Sequence, residues 1–478
     1  MHRRSLIIIA IVAVLAVTGV TVGLVATRAQ GEPHLATITP AQLLANVAQR
    51  AGDVAAVSGD VSWKNDVLGL SMLSFGGQGG GDLTALLSSG SGRVWVQDGK
   101  ARFEIQGATG DTTIVGDSAS VWVYAYAGNT ATEYTLPAGS RETQGSGQSS
   151  TTPFSPAATA DPVAAIDGFI QKLAPDATLA MSDPVTVAGQ GCYVLSLIPK
   201  ATNTVFGSVQ VAIDGTTYLP LKLDIYAKGA VKPVFTVGFT SVSYSTLADS
   251  IFAFTPPPNA TVEHKTLTLP AAMAGGSGTV PAIGSDGTSD QSSSTGERAP
   301  LTLAEAAAKA GFTPLAAQTT DPALAFAGAS AIPARELDLQ LLLGQLQSGA
   351  LGSVVAGSDM PDSGTTGSDA GAQSLNSPTV TLPLGPVTIG PTVIQHYGQG
   401  FGTVVLIETK VPAEVASQLE QTLAAVPLLS RTTAGTVTIY QLNTALGSAA
   451  LWDKGGLLFV AAGCVSQTDL TGFIASVR

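Results

Sequence analysis

Residues 189–258 read GQGCYVLSLIPKATNTVFGSVQVAIDGTTYLPLKLDIYAKGAVKPVFTVGFTSVSYSTLADSIFAFTPPP. Three runs rich in Val, Leu, Ile, Tyr and Phe are separated by turn residues. Asp214-Gly215 is a hairpin-type dipeptide, and Lys228-Gly229 closes the next run. Tyr193, Leu195 and Leu197 fall on one face of their run, as do Leu219, Leu221, Leu223 and Ile225 of theirs. Alternation of this kind predicts an antiparallel sheet with one face against apolar material and the other in water.

The same grammar extends upstream. Thr39-Pro40 opens a short helix, with Thr as N-cap and Pro at the first helical position. Leu43, Leu44 and Val47 form its apolar stripe. Strands are expected at 57–63, 92–97, 101–107, 112–115, 120–126 and 132–136, separated by Asp98-Gly99, Thr109-Gly110, Gly116-Asp117 and Gly128-Asn129. The glycines of 76–81 form a loop that no Gly-Lys-Ser/Thr follows, so it is not a phosphate loop. Residues 138–160 are polar and rich in Ser, Thr and Gly. Asp161-Pro162 then caps a second helix carrying Val163, Ile166, Phe169, Ile170 and Leu173 at helical spacing. Two short helices leave a large sheet with more apolar face than they can cover.

At 478 residues the chain is too long for one ordinary domain. Residues 1–29 form a membrane anchor or signal segment. Met1-His2-Arg3-Arg4 is basic and Ser5 to Ala26 carries no charge, a helix of roughly 33 Å against a hydrocarbon core of roughly 30 Å. The basic end stays cytoplasmic and the bulk of the chain lies extracytoplasmic, single-pass in the cell membrane. Thr27-Arg28-Ala29 is a small-x-small site, and cleavage there would make the protein secreted. Residues 37–262 form the first domain, 263–300 a disordered linker, and 301–478 a smaller α+β domain with a disordered insert at about 353–377. Thr302-Leu-Ala-Glu305 has capping-box form. Strands are expected near 393–397, 403–408, 436–441, 449–453 and 457–462, and helices over 412–426 and 467–477.

A formal charge of −12 argues against nucleic acid as a partner. Cys192 and Cys464 belong to no C-x-x-C; they read as buried thiols, with a disulfide between them left open. No G-x-S-x-G, H-E-x-x-H or Walker loop occurs, and the four histidines lack ligand or triad spacing. The hydroxyl-rich run Ser149 to Thr152 lacks apolar neighbours to hold a nucleophile, and Asp161 is a cap. The chain therefore reads as a non-enzyme, with no catalytic residues, metal site or cofactor. The candidate ligand-binding residues come from one alternation face: Val61, Trp63, Phe103, Ile105, Leu195, Leu197, Leu221, Leu223, Phe235 and Phe239. A large sheet poorly filled by its helices would leave an apolar cavity there.

TPAQLLANVA at 39–48, SGDVSW at 58–63, GRVWVQDGKARFEI at 92–105 and DSASVWVYAYAGNTATEYTLP at 117–137 carry a family resemblance. With VAGQGCYVLSLIPK at 187–200 and FAFTPPPNATV at 252–262, the pattern over 38–262 resembles the LolA-like lipoprotein-carrier superfamily in its actinobacterial form. Periplasmic regulators of the MucB/RseB type are related to it. VIQHYGQGFGTVVLIETKV and ALWDKGGLLFVAAGCVSQTDLTGFI resemble the small domain that accompanies such modules. The resemblance implies an incomplete antiparallel β-barrel closed by short helices around an apolar cavity. It implies as partners a lipid or an acylated lipoprotein, bound through acyl chains. The alternative it implies is an envelope-stress or anti-sigma sensor whose partner is a membrane regulator. The anchor and the second domain set this chain apart from a simple soluble shuttle.

Overall fold

The computed structural model describes residues 33, 35–50, 53–67, 90–107, 110–117, 119–135, 173–266, 300–332, 335–338, 386–424, 426, 428–434 and 437–478. The segment expected to be a membrane anchor or signal, the 76–81 loop, the Ser149–Thr152 run, nearly all of the helix expected from Asp161 and the 353–377 insert lie outside them.

Helix α1 (Pro40–Arg50) starts as its sequence dictates. Thr39 Oγ1 accepts from Gln42 N, and Gln42 Oε1 accepts from Thr39 N, so both ends of the first turn are satisfied. The strands that follow are β1 (Ala56–Asn65), β2 (Gly90–Gln97), β3 (Lys100–Gly107), β4 (Gly110–Gly116), β5 (Ser120–Ala125) and β6 (Thr130–Thr135). After them come β7 (Ala177–Val187), β8 (Gln190–Pro199), β9 (Phe206–Asp214), β10 (Pro220–Ala227), β11 (Phe235–Phe239) and β12 (Thr261–Thr266). All twelve form one sheet in the order β12-β6-β5-β4-β3-β2-β1-β11-β10-β9-β8-β7. Its hairpins use left-handed residues where the turns need them: Asp98 and Gly99 have φ of 51° and 79°, and Ala188 and Gly189 have 50° and 81°.

Three expectations change here. The sheet is open among the described residues, with no ladder joining β7 to β12, so these strands form no closed barrel. At one end of the row β12 covers the outer side of β6, and at the other β7 carries a bulge in its ladder with β8 between Ser182 and Val185, where Asp183-Pro184 sits. The sheet is also not wholly antiparallel, since β12 runs parallel to β6. Residues 263–266 of β12 lie inside the stretch read as linker. Finally, Asp214-Gly215 is not a two-residue hairpin. Asp214 Oδ1 accepts from Thr216 N and Thr217 N, at 2.7 and 3.3 Å, and Tyr218 takes the positive φ of 58°.

The parallel strand is reached by a strap. After β11 the chain crosses the sheet's polar face, and long-range contacts hold it. Leu247 N donates to Gln97 Oε1 at 2.7 Å and Gln97 Nε2 donates back to Leu247 O at 3.2 Å. Lys100 Nζ lies 2.7 Å from Asp249, and Arg102 donates to Ile251 O at 3.2 Å. Phe254 sits against Trp122 and Tyr124, with ring centroids 5.5 and 5.9 Å away. Asn129 Nδ2 donates to Asn259 O at 2.8 Å, and β12 follows. The strap thus carries the chain from β11 to the outer side of β6, where β12 pairs in parallel.

A second sheet of seven strands has the order β13-β16-β17-β21-β20-β19-β18. Its members are β13 (Phe326–Ile332), β16 (Thr392–Tyr397), β17 (Val404–Lys410), β18 (Ser430–Ala434), β19 (Val437–Thr444), β20 (Gly447–Lys454) and β21 (Leu457–Gly463). A separate pair, β14 (Arg335–Asp338) and β15 (Pro386–Ile389), lies between β13 and β16 in the chain. Helices α2 (Leu303–Ala310), α3 (Ala413–Ala424) and α4 (Gln467–Ala475) complete it. The capping box at Thr302 forms as its spacing predicts, with both reciprocal bonds present. Leu470, Phe473 and Ile474 of α4 pack with Trp452, Phe459 and Leu406. The two sheets meet where Val205 N donates to Cys464 O at 2.8 Å and Phe206 stacks on Phe401 at 5.2 Å. Ala445 N donates to Val67 O at 2.8 Å, a second tie.

Replacing Phe254 by Ala removes the strap's aromatic anchor. The expected result is a loss of about 1–2 kcal/mol in local stability, read as faster hydrogen exchange across 247–266 with β8 to β10 unchanged.

Candidate functional site

Cross-strand neighbours share a face, so the register itself collects the site. Val61 faces Phe239 and Trp63 faces Val237. Val237 faces Leu223, and Phe235 faces Ile225. Leu223 and Ile225 face Val211 and Val209, which in turn face Leu195 and Leu197. In the other direction Val61 faces Gly92, which faces Ile105, while Val94 faces Phe103. Phe103 faces Ile114, and Ile114 faces Val123. Nine of the ten residues chosen from the sequence thus share one face. Leu221 sits at the bulge between Pro220 and Lys222, and it packs in the same cluster as Trp63, Phe235 and Phe239.

Burial divides this face into zones. Trp63, Leu221, Phe235 and Phe239 are buried at its centre with Val57, Val94, Val96 and Val237. Leu195 is covered by α1, whose Leu43, Leu44 and Ala45 pack onto it together with Tyr193 and Ile213. Val61, Phe103, Ile105 and Leu223 are half-buried against the central cluster. Leu197 is half-buried too, opposite Leu179. The stripe continues in Ile114, Val121 and Val123, all half-buried.

The opposite face carries ion pairs beside buried Val115, Tyr124, Cys192, Val194 and Ala212. Arg93 meets Asp60 at 3.2 Å, Arg102 meets Glu104 at 2.8 Å, and Lys222 meets Asp224 at 2.8 Å. His264 Nδ1 lies 2.9 Å from Glu133, a pairing that spacing in the chain could not reveal because β12 was read as linker.

A cavity of about 340 Å³ lies at the sheet's edge, between the start of α1 and the region of Leu173, Ala174 and Ala177–Leu179, with Lys200 beside it. None of the ten chosen residues lines it. It adjoins their face through Leu179, the partner of Leu197. The cavity is therefore displaced from the place where the sequence put it, because the centre of the face is filled by Trp63, Phe235 and Phe239.

No cluster of three metal-ligating side chains occurs among the described residues. Cys192 and Cys464 are free, and burial pushes the Cys192 thiol up to about 12, where it is no nucleophile. One group that the sequence reading passed over is Glu408, fully buried in β17. Its Oε2 accepts from Leu315 N at 2.8 Å and its Oε1 from Gln395 Nε2. Tyr397 Oη donates to Gln395 Oε1 at 2.6 Å and accepts from Ala317 N at 3.0 Å. The network clamps the segment after α2 to the second sheet. Its signal was a lone acid inside the apolar run VVLIETKV.

No family model matches the chain, and no curated protein matches it. Among solved structures, MucB in complex with MucA(peri) is similar over 91% of this chain and 96% of that one, at 11% identity and a TM-score of 0.34. The MucA/MucB complex of Pseudomonas aeruginosa gives 11% identity, 91% and 96% coverage and a TM-score of 0.33. A LolA superfamily protein from Nitrosomonas europaea is similar over 46% of this chain and 99% of its own, at 11% identity and a TM-score of 0.18. Similar structures thus include both groups that the sequence resembles. At these scores the likeness carries no inference about what this chain binds.

Burial pushes the Glu408 carboxyl up to about 7 from an ordinary 4.5, although two hydrogen bonds oppose the shift. The folded chain keeps this proton at pH values where the unfolded chain has released it. Stability from this group is thus full below about 4.5 and is lost as pH rises through about 7. Urea unfolding should show a decline on the order of 3 kcal/mol across that window, absent in Glu408→Gln.

Proposed function

We propose that this chain is an extracytoplasmic, membrane-tethered protein that binds and transfers acyl chains of lipids or lipoproteins. The observation that supports this reading is the continuous apolar stripe that the register lays across the twelve-stranded sheet. Its half-buried stripe, Val61, Phe103, Ile105, Ile114 and Val123, continues outward from a buried centre. An acyl chain laid along such a stripe gains about 0.8 kcal/mol per methylene buried, and its neutral surface asks for no charge. The neighbouring edge cavity has room for the end of a chain beside Leu179. The basic tip and uncharged run of residues 1–26 would hold this face close to a bilayer, with the bulk of the chain outside; cleavage after the run would release it. The chain acts here by binding, not by catalysis.

A second reading has its own support. The junction at Val205–Cys464, Phe206–Phe401 and Val67–Ala445 joins the two sheets by several short contacts. A shuttle has no need of a second module fixed this way, whereas a regulator that recognises a membrane protein partner does.

The full chain, purified from membranes in mild detergent, should carry co-extracted lipid in native mass spectrometry. Placing a charge at the stripe, as in Ile105→Asp, should reduce lipid occupancy severalfold with the fold intact by circular dichroism. A lipid-free chain that also ignores fluorescent fatty acids sinks the acyl-binding reading. Co-purification of a membrane protein without lipid would put the second reading in its place.

A further inference from the structure

One polar atom within the apolar face has no partner. Trp63 is 2% exposed, and its Nε1 is buried without an acceptor. A buried donor left unmade bears its desolvation cost in full, so such an atom calls for an explanation. The indole position is tightly defined. Trp63 stands opposite Gly90, and a Cβ at Gly90 would come within 2.7 Å of the indole Cζ2 and 3.1 Å of Cε2, the atom that bears Nε1. The ring therefore lies across β2 in space that only glycine leaves. The next pair along, Val61 and Gly92, is followed by Ile105; at Gly92 the backbone of β3 comes so close that a Cβ would lie 2.5 Å from Glu104 O, and Val61 and Ile105 flank it half-buried. The unpartnered donor thus sits in the cluster against which the half-buried stripe residues Val61, Phe103 and Ile105 pack.

The indole N–H can only donate, so its partner must be an acceptor. A hydrocarbon tail has none. A carboxylate would bring a charge into this place, and the nearby cations, Lys64 and Arg93, belong to the opposite face and already meet Asp66 and Asp60. A neutral carbonyl meets the requirement without charge. We propose that Trp63 Nε1 donates a hydrogen bond to the carbonyl oxygen of an acyl ester or amide whose chain lies along the half-buried stripe. The proposal rests on the acyl-binding reading and narrows it, from apolar chains in general to chains joined to a neutral carbonyl. Glycerolipid esters and the acyl groups of lipoproteins both offer that chemistry.

The full chain labelled with indole ¹⁵N in lipid nanodiscs tests this directly. Its four tryptophans give four indole signals, and Trp63→Phe identifies one of them. Methyl decanoate should move the Trp63 indole proton downfield, while decane should leave it in place. N-methyl decanamide serves as the amide arm: the probe with the larger shift tells which carbonyl source the site prefers. In native mass spectrometry, Trp63→Phe should weaken methyl decanoate binding about five- to tenfold more than it weakens decane binding.

A Trp63 signal that ignores bound ester or amide overturns the proposal and assigns the indole to water or strain. Equal weakening of decane and ester in Trp63→Phe overturns it as well, since packing alone would then explain the ring. If no probe binds the wild-type chain, the acyl-binding reading itself fails and the proposal with it. Should the variant not fold, the wild-type shifts with ester and decane still decide.

Discussion

The two-residue period of the strand governs this molecule. Side chains alternate across a pleated sheet, so an unbroken register carries the sidedness of one strand to every other. From β8 through β11 and β1 to β5 that register keeps Leu195, Leu223, Phe235, Trp63, Phe103 and Val123 on the same side. A slip of one residue in any ladder would send part of this set to the side where Arg93, Arg102 and Lys222 hold their carboxylates. The apolar face is therefore a property of the whole ladder and not of any one strand.

That dependence explains what could be read in advance. Alternation in GCYVLSLIP and PLKLDIYA is local, so the face was visible residue by residue before any pairing was known. Capping at Thr302 was visible for the same reason, because its partner lies three residues away. β7 was missed because Asp183-Pro184 interrupts its alternation at a bulge. The strap was missed because its partners are remote: Gln97 and Leu247 stand 150 residues apart. The Glu408 network escaped on the same ground, joining two strands to the segment that follows α2. The cavity at the sheet's edge depends on how far the central aromatics fill the face, and side-chain volume there is a matter of packing that alternation does not describe.

The two sheets stand in a different relation. Each has its own buried cluster, one around Trp63 and Val237 and one around Phe459 and Leu406. Between them run backbone bonds, a stacked aromatic pair and the fit of Gly402 against Asn203, whose Oδ1 would lie 2.1 Å from any Cβ placed at that glycine. Contacts of this type favour one relative placement, since a backbone bond and a glycine-only approach tolerate little sliding.

The strap and the β7 bulge together have a consequence for how the molecule behaves among copies of itself. An open sheet offers unpaired amides and carbonyls at each end, a template on which another chain can grow. Here β12 lies along the outer side of β6, parallel to it, with charged Glu263 and Lys265 paired to each other at 2.7 Å. At the other end, Pro184 withholds an amide and the bulge kinks the strand. Charge at one end and a proline-bearing bulge at the other thus blunt the twelve-stranded sheet against end-to-end pairing with another copy.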